Sequence, residues 1–338
     1  MKKLLLIDAN SIIHRSFHAL PPLTAPDGSA AGALYGIGSI LLKLWREDRP
    51  DYAAALFDRP EPTFRDKKYA AYKAQRPPAS DELIAQIIAA HDLFRAFGIR
   101  TFECAGYEAD DLIATLAAKF SSEQDLQIVI LTGDRDTLQL VDSDRLVVQT
   151  FNKGVSDTTT YNEAAVKEKY GGLVPRQLVD YKALVGDPSD NIKGVPGIGP
   201  KTATELIRRF GNVKRLYEVL EGTGSAADEN GEGIEKLRAR FGAFKKEAEL
   251  SRELVTLEQN VPINIPSLEE LASSPGMAGA AAYFEKMQFA SLLKRLIMPS
   301  APEKKDATFS AGKDPKRHTK AKSKMGDESS GASQAPLF

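Results

Sequence analysis

Nine carboxylates are placed where they could share one piece of chemistry: Asp8, Asp58, Glu108, Asp110, Asp111, Asp134, Asp136, Asp187 and Asp190. The early ones close apolar runs: KKLLLID ends at Asp8, YAAALFD at Asp58, and QIVILTGDRD at Asp134 and Asp136. Short apolar runs bounded by turn residues read as buried parallel strands. An open α/β sheet binds its ligands beyond the carboxyl ends of such strands. Acids distant in sequence are therefore expected to meet at one rim, where their repulsion is costly unless divalent cations neutralise it. Two oxygen-ligated ions about 3.5–4 Å apart are the standard device for hydrolysing a phosphodiester. No His or Cys cluster accompanies the acids, and the four histidines read as scattered. Magnesium or manganese is thus favoured over zinc.

Each acidic group also has an ordinary explanation. Glu108, Asp110 and Asp111 enter a helix in GYEADDLIATLA, and a helix N-terminus favours acids by about 0.3–1 kcal/mol each. Three acids together, with strand-end pairs elsewhere, exceed what the dipole asks for. Asp134 and Asp136 flank Arg135, a spacing that can aim both at one ion or simply mark an Asp-rich turn. Asp187 and Asp190 in GDPSDN lie three apart, on one face of a helical turn or in a capping cluster. In GVPGIGPKTA, residues 194–203, Gly194, Gly197 and Gly199 let backbone approach a phosphate, the next helix points its N-terminus at the anion, and Lys201 adds charge. The spacing is not a P-loop; it reads as a helix–hairpin–helix clamp on a DNA backbone rather than a plain Gly/Pro turn. GALYGIGSI, residues 32–40, lacks a preceding strand and reads as a helix with small residues on a packing face.

The elements that must position these residues follow the same logic. To about residue 165, strand-like and helix-like segments alternate, the pattern of a mostly parallel sheet flanked by helices. Helices are predicted at 32–46, at 81–97 (Asp81 as cap, Gly98 as stop), at 108–120, and at TLQLV after the TGDRD turn. The basic, proline-bracketed stretch RPEPTFRDKKYAAYKAQRPPAS reads as an exposed arm or lid. From about 166 the chain turns helical, with a loop at 222–233 and a charged helix at 234–258. After Pro299 large apolar residues nearly vanish, and a disordered basic tail is expected. At 338 residues the chain allows two domains and that tail. A single cysteine, Cys104, excludes an intramolecular disulfide, and no stretch approaches the roughly 20 apolar residues of a membrane span. A cytoplasmic protein is expected. Net charge is −1; residues 301–338 carry +3 and the body −4, so overall charge does not decide nucleic-acid binding.

Six motifs in colinear order over about residues 3–295 carry a specific resemblance: LLLIDANSIIHRSFHAL, LFD-x5-FR, YKAQRPP, GYEADDLIATLA, LTGDRDTLQLV and GDPSDNIKGVPGIGPKTA. The chain resembles the 5′-nuclease (flap endonuclease) family, and most of all the 5′→3′ exonuclease domain at the start of bacterial DNA polymerase I. The resemblance implies a PIN-like α/β nuclease domain over 1–165 with an arch at about 60–80. It implies a helical DNA-binding domain over 166–298, with the helix–hairpin–helix at about 178–210, and then the tail 299–338. The first seven acids would surround one ion, and Asp187 with Asp190 would help hold the second. Lys73 and Arg76 would contact the scissile phosphate, with Asp110 essential to catalysis; Tyr72 would stack on an unpaired base, and Arg15 and Arg65 would touch phosphates. Apart from the resemblance, Tyr72, Lys73 and Arg76 read as a solvated basic helix. The clamp would hold duplex DNA with a K+ ion on backbone carbonyls. The substrate implied is DNA with 5′ single-stranded flaps or ends, cleaved near the junction in primer removal and repair. The closing QAPLF resembles a sliding-clamp-binding peptide, with Gln334, Leu337 and Phe338 as its contacts. No polymerase sequence follows, so either a stand-alone family member or a piece of a longer protein is implied; a monomer associated with the nucleoid is expected. The alternatives are a PIN-type ribonuclease, which needs fewer acids and no clamp, and a non-catalytic binder of DNA junctions.

Overall fold

Strand β1 (Lys2–Asp8) shows how the sheet is built. Leu4 and Leu6 point into one apolar cluster and Leu5 and Ile7 into another, on opposite faces of the pleat. Both faces are covered, so the run is apolar without alternation. The computed structural model describes residues 1–152, 157–223, 232–273 and 277–297. The tail with Gln334, Leu337 and Phe338, and most of the 222–233 loop, lie outside the described residues.

After β1 the chain forms α1 (Ala9–Ala19), α2 (Gly32–Glu47), β2 (Tyr52–Leu56), α3 (Phe64–Lys68), α4 (Asp81–Ala96) and β3 (Arg100–Phe102). It continues through α5 (Ala109–Phe120), β4 (Leu126–Thr132), β5 (Leu146–Phe151) and β6 (Thr158–Tyr161). The sheet order is β3-β2-β1-β4-β5-β6, parallel except for β6 at the edge. β2 lies on one side of β1 and β4 on the other, so the winding reverses there. A crevice outside the carboxyl ends of β1 and β4 is the geometric consequence.

The second half comprises α6 (Glu163–Lys169), α7 (Leu178–Val185), a two-residue ladder of β7 (Gly186–Asp187) with β8 (Ile192–Lys193), α8 (Pro200–Phe210) and α9 (Val213–Leu220). Then come α10 (Glu232–Phe241), α11 (Lys245–Val255), α12 (Met277–Lys286) and α13 (Ala290–Ile297). One apolar cluster runs from Leu4 and Leu6 through Leu112 and Leu116 to Leu184, Leu206 and Phe241. The α/β part and the first helices of the second half thus share a core.

Several expectations change. The charged segment 234–258 is two helices, because a 3-10 turn at Gly242–Phe244 separates α10 from α11. TLQLV is a 3-10 turn rather than an α-helix. Ser80, not Asp81, caps α4, its Oγ accepting from Leu83 N at 3.3 Å. The arm at 60–80 is half docked: a Thr63–Asp66 capping box starts α3, and Arg65 and Tyr72 are buried, while 74–80 is exposed. Residues 277–297, expected within the DNA-binding half, return to the α/β layer instead. Phe284 and Leu292 bury themselves beside α2 and α4. A Cβ on Gly38 would lie 2.9 Å from Phe284 and 3.0 Å from Leu292, so the small residues of GALYGIGSI do form a packing face. Among the described residues no helix is long and apolar enough to cross a membrane.

Candidate active site

A cleft of about 880 Å³ opens beyond β1, β2 and β4, and Asp8, Asp58, Glu108, Asp110, Asp134, Asp136 and Asp187 line it. Backbone geometry fixes each of them. Asp8 ends β1 and caps α1, accepting from Ser11 N at 2.9 Å and from the Thr132 hydroxyl at 2.6 Å. Asp58 follows β2 and accepts from Ala109 N at 2.7 Å, which ties it to the start of α5. Asp134 accepts from Asp136 N at 2.9 Å in the turn after β4. Asp187 accepts from Ser189 N at 2.9 Å after α7.

The cleft is electrostatically overloaded. Burial pushes the Asp110 carboxyl well above the usual carboxylate range, and the charges of Asp134, Asp8, Asp136 and Asp58 push it further. Its Oδ1 is buried with no hydrogen-bond partner. Burial, with repulsion from Asp58, raises Asp8 to about 7; burial, with repulsion from Asp134, raises Asp136 to about 7. Such a set of oxygen donors suits hard divalent cations. As the side chains stand, no three metal-binding groups among the described residues converge on one point. The protein's own cations hold them instead. Lys182 bridges Asp136 and Asp187, the latter at 2.7 Å. Lys73 donates to Glu108 at 2.6 Å and Arg76 to Asp190 at 2.6 Å. Burial opposes the charge on Lys182 and Lys73, but the paired acids outweigh it and raise both pKa values.

Three predicted site residues play other parts. Asp111 is fully buried, and Arg65 holds both its oxygens at 2.7 and 2.8 Å. The same oxygens accept from Glu108 N at 3.1 Å and Glu258 N at 2.9 Å, which leaves no lone pair for a metal. Arg65 is 1% exposed and also donates to Leu254 O at 2.8 Å and Thr256 O at 3.0 Å. It is an internal brace between α3 and the end of α11, not a phosphate contact. Tyr72 is 5% exposed, its hydroxyl donating to Glu108 at 2.9 Å and Asp190 at 3.1 Å. A ring in that position cannot stack on a base. Sequence alone misplaced Arg65 and Tyr72 because the FRDKKYAAYK pattern looks solvated, while burial depends on α11 packing over it.

Other assignments keep their place. Lys73 and Arg76 both line the cleft. Lys73 sits at φ 50°, a strained conformation for a lysine, held by Lys73 N on Asp190 O at 3.0 Å. Asp190 stands just outside the lining, joined to it through Tyr72 and Arg76. Arg15 lines the cleft, with Nη2 on Asn152 O at 3.0 Å and its guanidinium 5.0 Å from the Phe151 ring.

The glycine segment divides. Gly194 is a packing residue, since a Cβ there would lie 2.2 Å from the Val185 carbonyl carbon. The protein's own backbone, not a phosphate, requires that glycine. Gly197 adopts φ 79°, and Gly199 precedes Pro200 at the start of α8 with open space around it. Lys201 beside it is exposed. The carbonyl of Gly197 accepts from Arg240 Nη2 at 3.1 Å.

Two cleft features escaped the sequence reading. Lys182 carried a signal only in retrospect, as the lysine five residues before Asp187. His14 and His18 both line the cleft, one helical turn apart on α1; their spacing was legible but was read as scatter.

Residues 3–171 match the family described as 5′–3′ exonuclease, N-terminal resolvase-like domain, and residues 173–277 match the 5′–3′ exonuclease C-terminal SAM fold. The chain belongs to the 5′–3′ exonuclease family. As a member it is a nuclease. It is 36% identical over 297 residues to a 5′–3′ exonuclease of Aquifex aeolicus, covering 88% of this chain and 96% of that one. It is 37% identical over 305 residues to DNA polymerase I of Bacillus caldotenax, covering 90% of this chain but only 33% of the polymerase. The chain therefore spans about a third of the length of such polymerase relatives. In fold it is similar to a bacteriophage T5 flap endonuclease solved with DNA and metal ions, with a TM-score of 0.59, 20% identity, and coverage of 88% of this chain and all of that one.

Proposed function

We propose that this nuclease cuts DNA carrying 5′ single-stranded flaps or ends near the junction with duplex, using two divalent ions in the carboxylate cleft. The observation that carries the reading is the crowd of buried, mutually repelling carboxylates around the unpartnered Asp110 Oδ1. The T5 flap endonuclease of like fold, held with DNA and metal ions, supports it.

Asp8, Asp58, Glu108, Asp110, Asp134 and Asp136 would hold one ion, with Asp187 and Asp190 helping with the other. Magnesium or manganese bound there would activate water and stabilise the attacking and leaving oxygens of an in-line displacement. The chain's own residues do the rest. Lys73 and Arg76 line the cleft, their donors resting on Glu108 and Asp190. A scissile phosphate would take over those donors as cations take over the acids, so charge on each side stays compensated. Gly197, Gly199 and Lys201 at the start of α8 would grip the duplex backbone. We further propose that Gln334, Leu337 and Phe338 bind a sliding clamp. Removing residues 334–338 should abolish clamp association and spare cleavage of naked DNA; undiminished association would refute it.

A 3′-labelled 5′-flap DNA incubated with magnesium, manganese or chelator tests the main reading. Cleavage should map to the junction, need the ion, and vanish in Asp110→Ala while DNA binding persists. Preferred cleavage of single-stranded RNA would favour a PIN-type ribonuclease. Tight flap binding without cleavage would favour a junction-binding protein.

A further inference from the structure

Helix α1 leaves Asp8 and runs along the wall of the cleft, carrying the exposed His14 and His18. Side chains four apart on a helix lie on one face, with Cβ atoms about 5–6 Å apart. A rise of about 1.5 Å per residue puts the pair roughly 9–15 Å from Asp8 along the axis. Two imidazoles one turn apart are the chelating pair that zinc proteases carry on a helix. Imidazole nitrogen favours zinc, nickel or copper, whereas the carboxylates beyond it favour magnesium or manganese. One cleft therefore offers two donor sets of different softness. Among the described residues no third side chain completes the pair, so a bound ion would keep positions open for water or a phosphate oxygen.

We propose that His14 and His18 form a transition-metal site in the cleft, distinct in its donors from the carboxylate centre beside it, where zinc or nickel binds while magnesium serves the carboxylates. An ion there stands in the cleft that the substrate must enter, so occupancy should slow magnesium-supported cleavage. Metal binding itself can be read whether or not the chain cuts flaps.

The test is calorimetric titration of the full chain with nickel chloride under saturating magnesium. One nickel per chain should bind, more weakly as pH falls through the histidine range. Loss of even a partner that supports a ligand costs about 10–100-fold in metal affinity, so His14→Ala and His18→Ala should each lose at least about tenfold. Both side chains are exposed, and unchanged unfolding midpoints would confirm that the variants fold. Nickel binding that survives both substitutions, or that disappears under saturating magnesium, would overturn the proposal. In parallel, zinc should inhibit the wild-type chain more than either variant, each measured against its own zinc-free rate. Equal inhibition would also overturn it.

Discussion

Arg65→Met should destabilise this protein rather than weaken its grip on DNA. The guanidinium is 1% exposed and Asp111 is fully buried, so the substitution strands a carboxylate that keeps only two backbone donors, Glu108 N and Glu258 N. It also strands the carbonyls of Leu254 and Thr256. Removing one partner of a buried ion pair costs about 3–5 kcal/mol. At about 2–4 °C per kcal/mol for a large domain, the midpoint should drop by roughly 10 °C. Thermal unfolding of Arg65→Met, Asp111→Leu and the double variant forms a mutant cycle. The double variant should be more stable than the summed losses imply, by about 2–3 kcal/mol, because it leaves no charge unpaired. If Arg65 were a phosphate contact, Arg65→Met would melt at the wild-type midpoint while KM for DNA rose and its salt dependence flattened. That result would refute the assignment of Arg65 as a brace.

The metal-free protein should lose stability as pH rises from about 4 to 7, because Asp8 and Asp136 titrate near 7 when folded and near 3.8 when unfolded, so the folded state binds the extra protons. Magnesium should flatten that slope; a slope indifferent to magnesium would show that the acids do not share its site. Lys182→Met should cost about 3–5 kcal/mol in chelator, by leaving Asp136 and Asp187 facing each other, and less with magnesium present. Equal loss in both conditions would make Lys182 a plain packing residue. Lys73→Ala should lower kcat by about 10²–10³ and change KM little, as expected of a donor that strengthens in the transition state; an unchanged kcat in single-turnover assays would remove it from the chemistry.

The sequence by itself determined three central strands, β1, β2 and β4, the rim they form and most of the acids. Short apolar runs that end in aspartate and a turn read as buried strands with carboxylates at their ends, so Asp8, Asp58, Asp134 and Asp136 were readable from local chemistry. The GYEADD helix start and the GVPGIGPK turn were readable for the same reason, because caps and glycine turns are set within a few residues. Burial of charged side chains was not readable, since it depends on segments far apart in the chain. Whether Arg65 and Tyr72 face solvent is decided by α11 and by Asp190, 118 residues beyond Tyr72. Asp110 and Asp111 are neighbours of identical type, and the rotation of α5 alone sends one into the cleft and the other onto Arg65. The return of α12 and α13 to the first layer rests on Phe284 and Leu292 fitting against Gly38. Such long-range packing is settled only when the whole core closes.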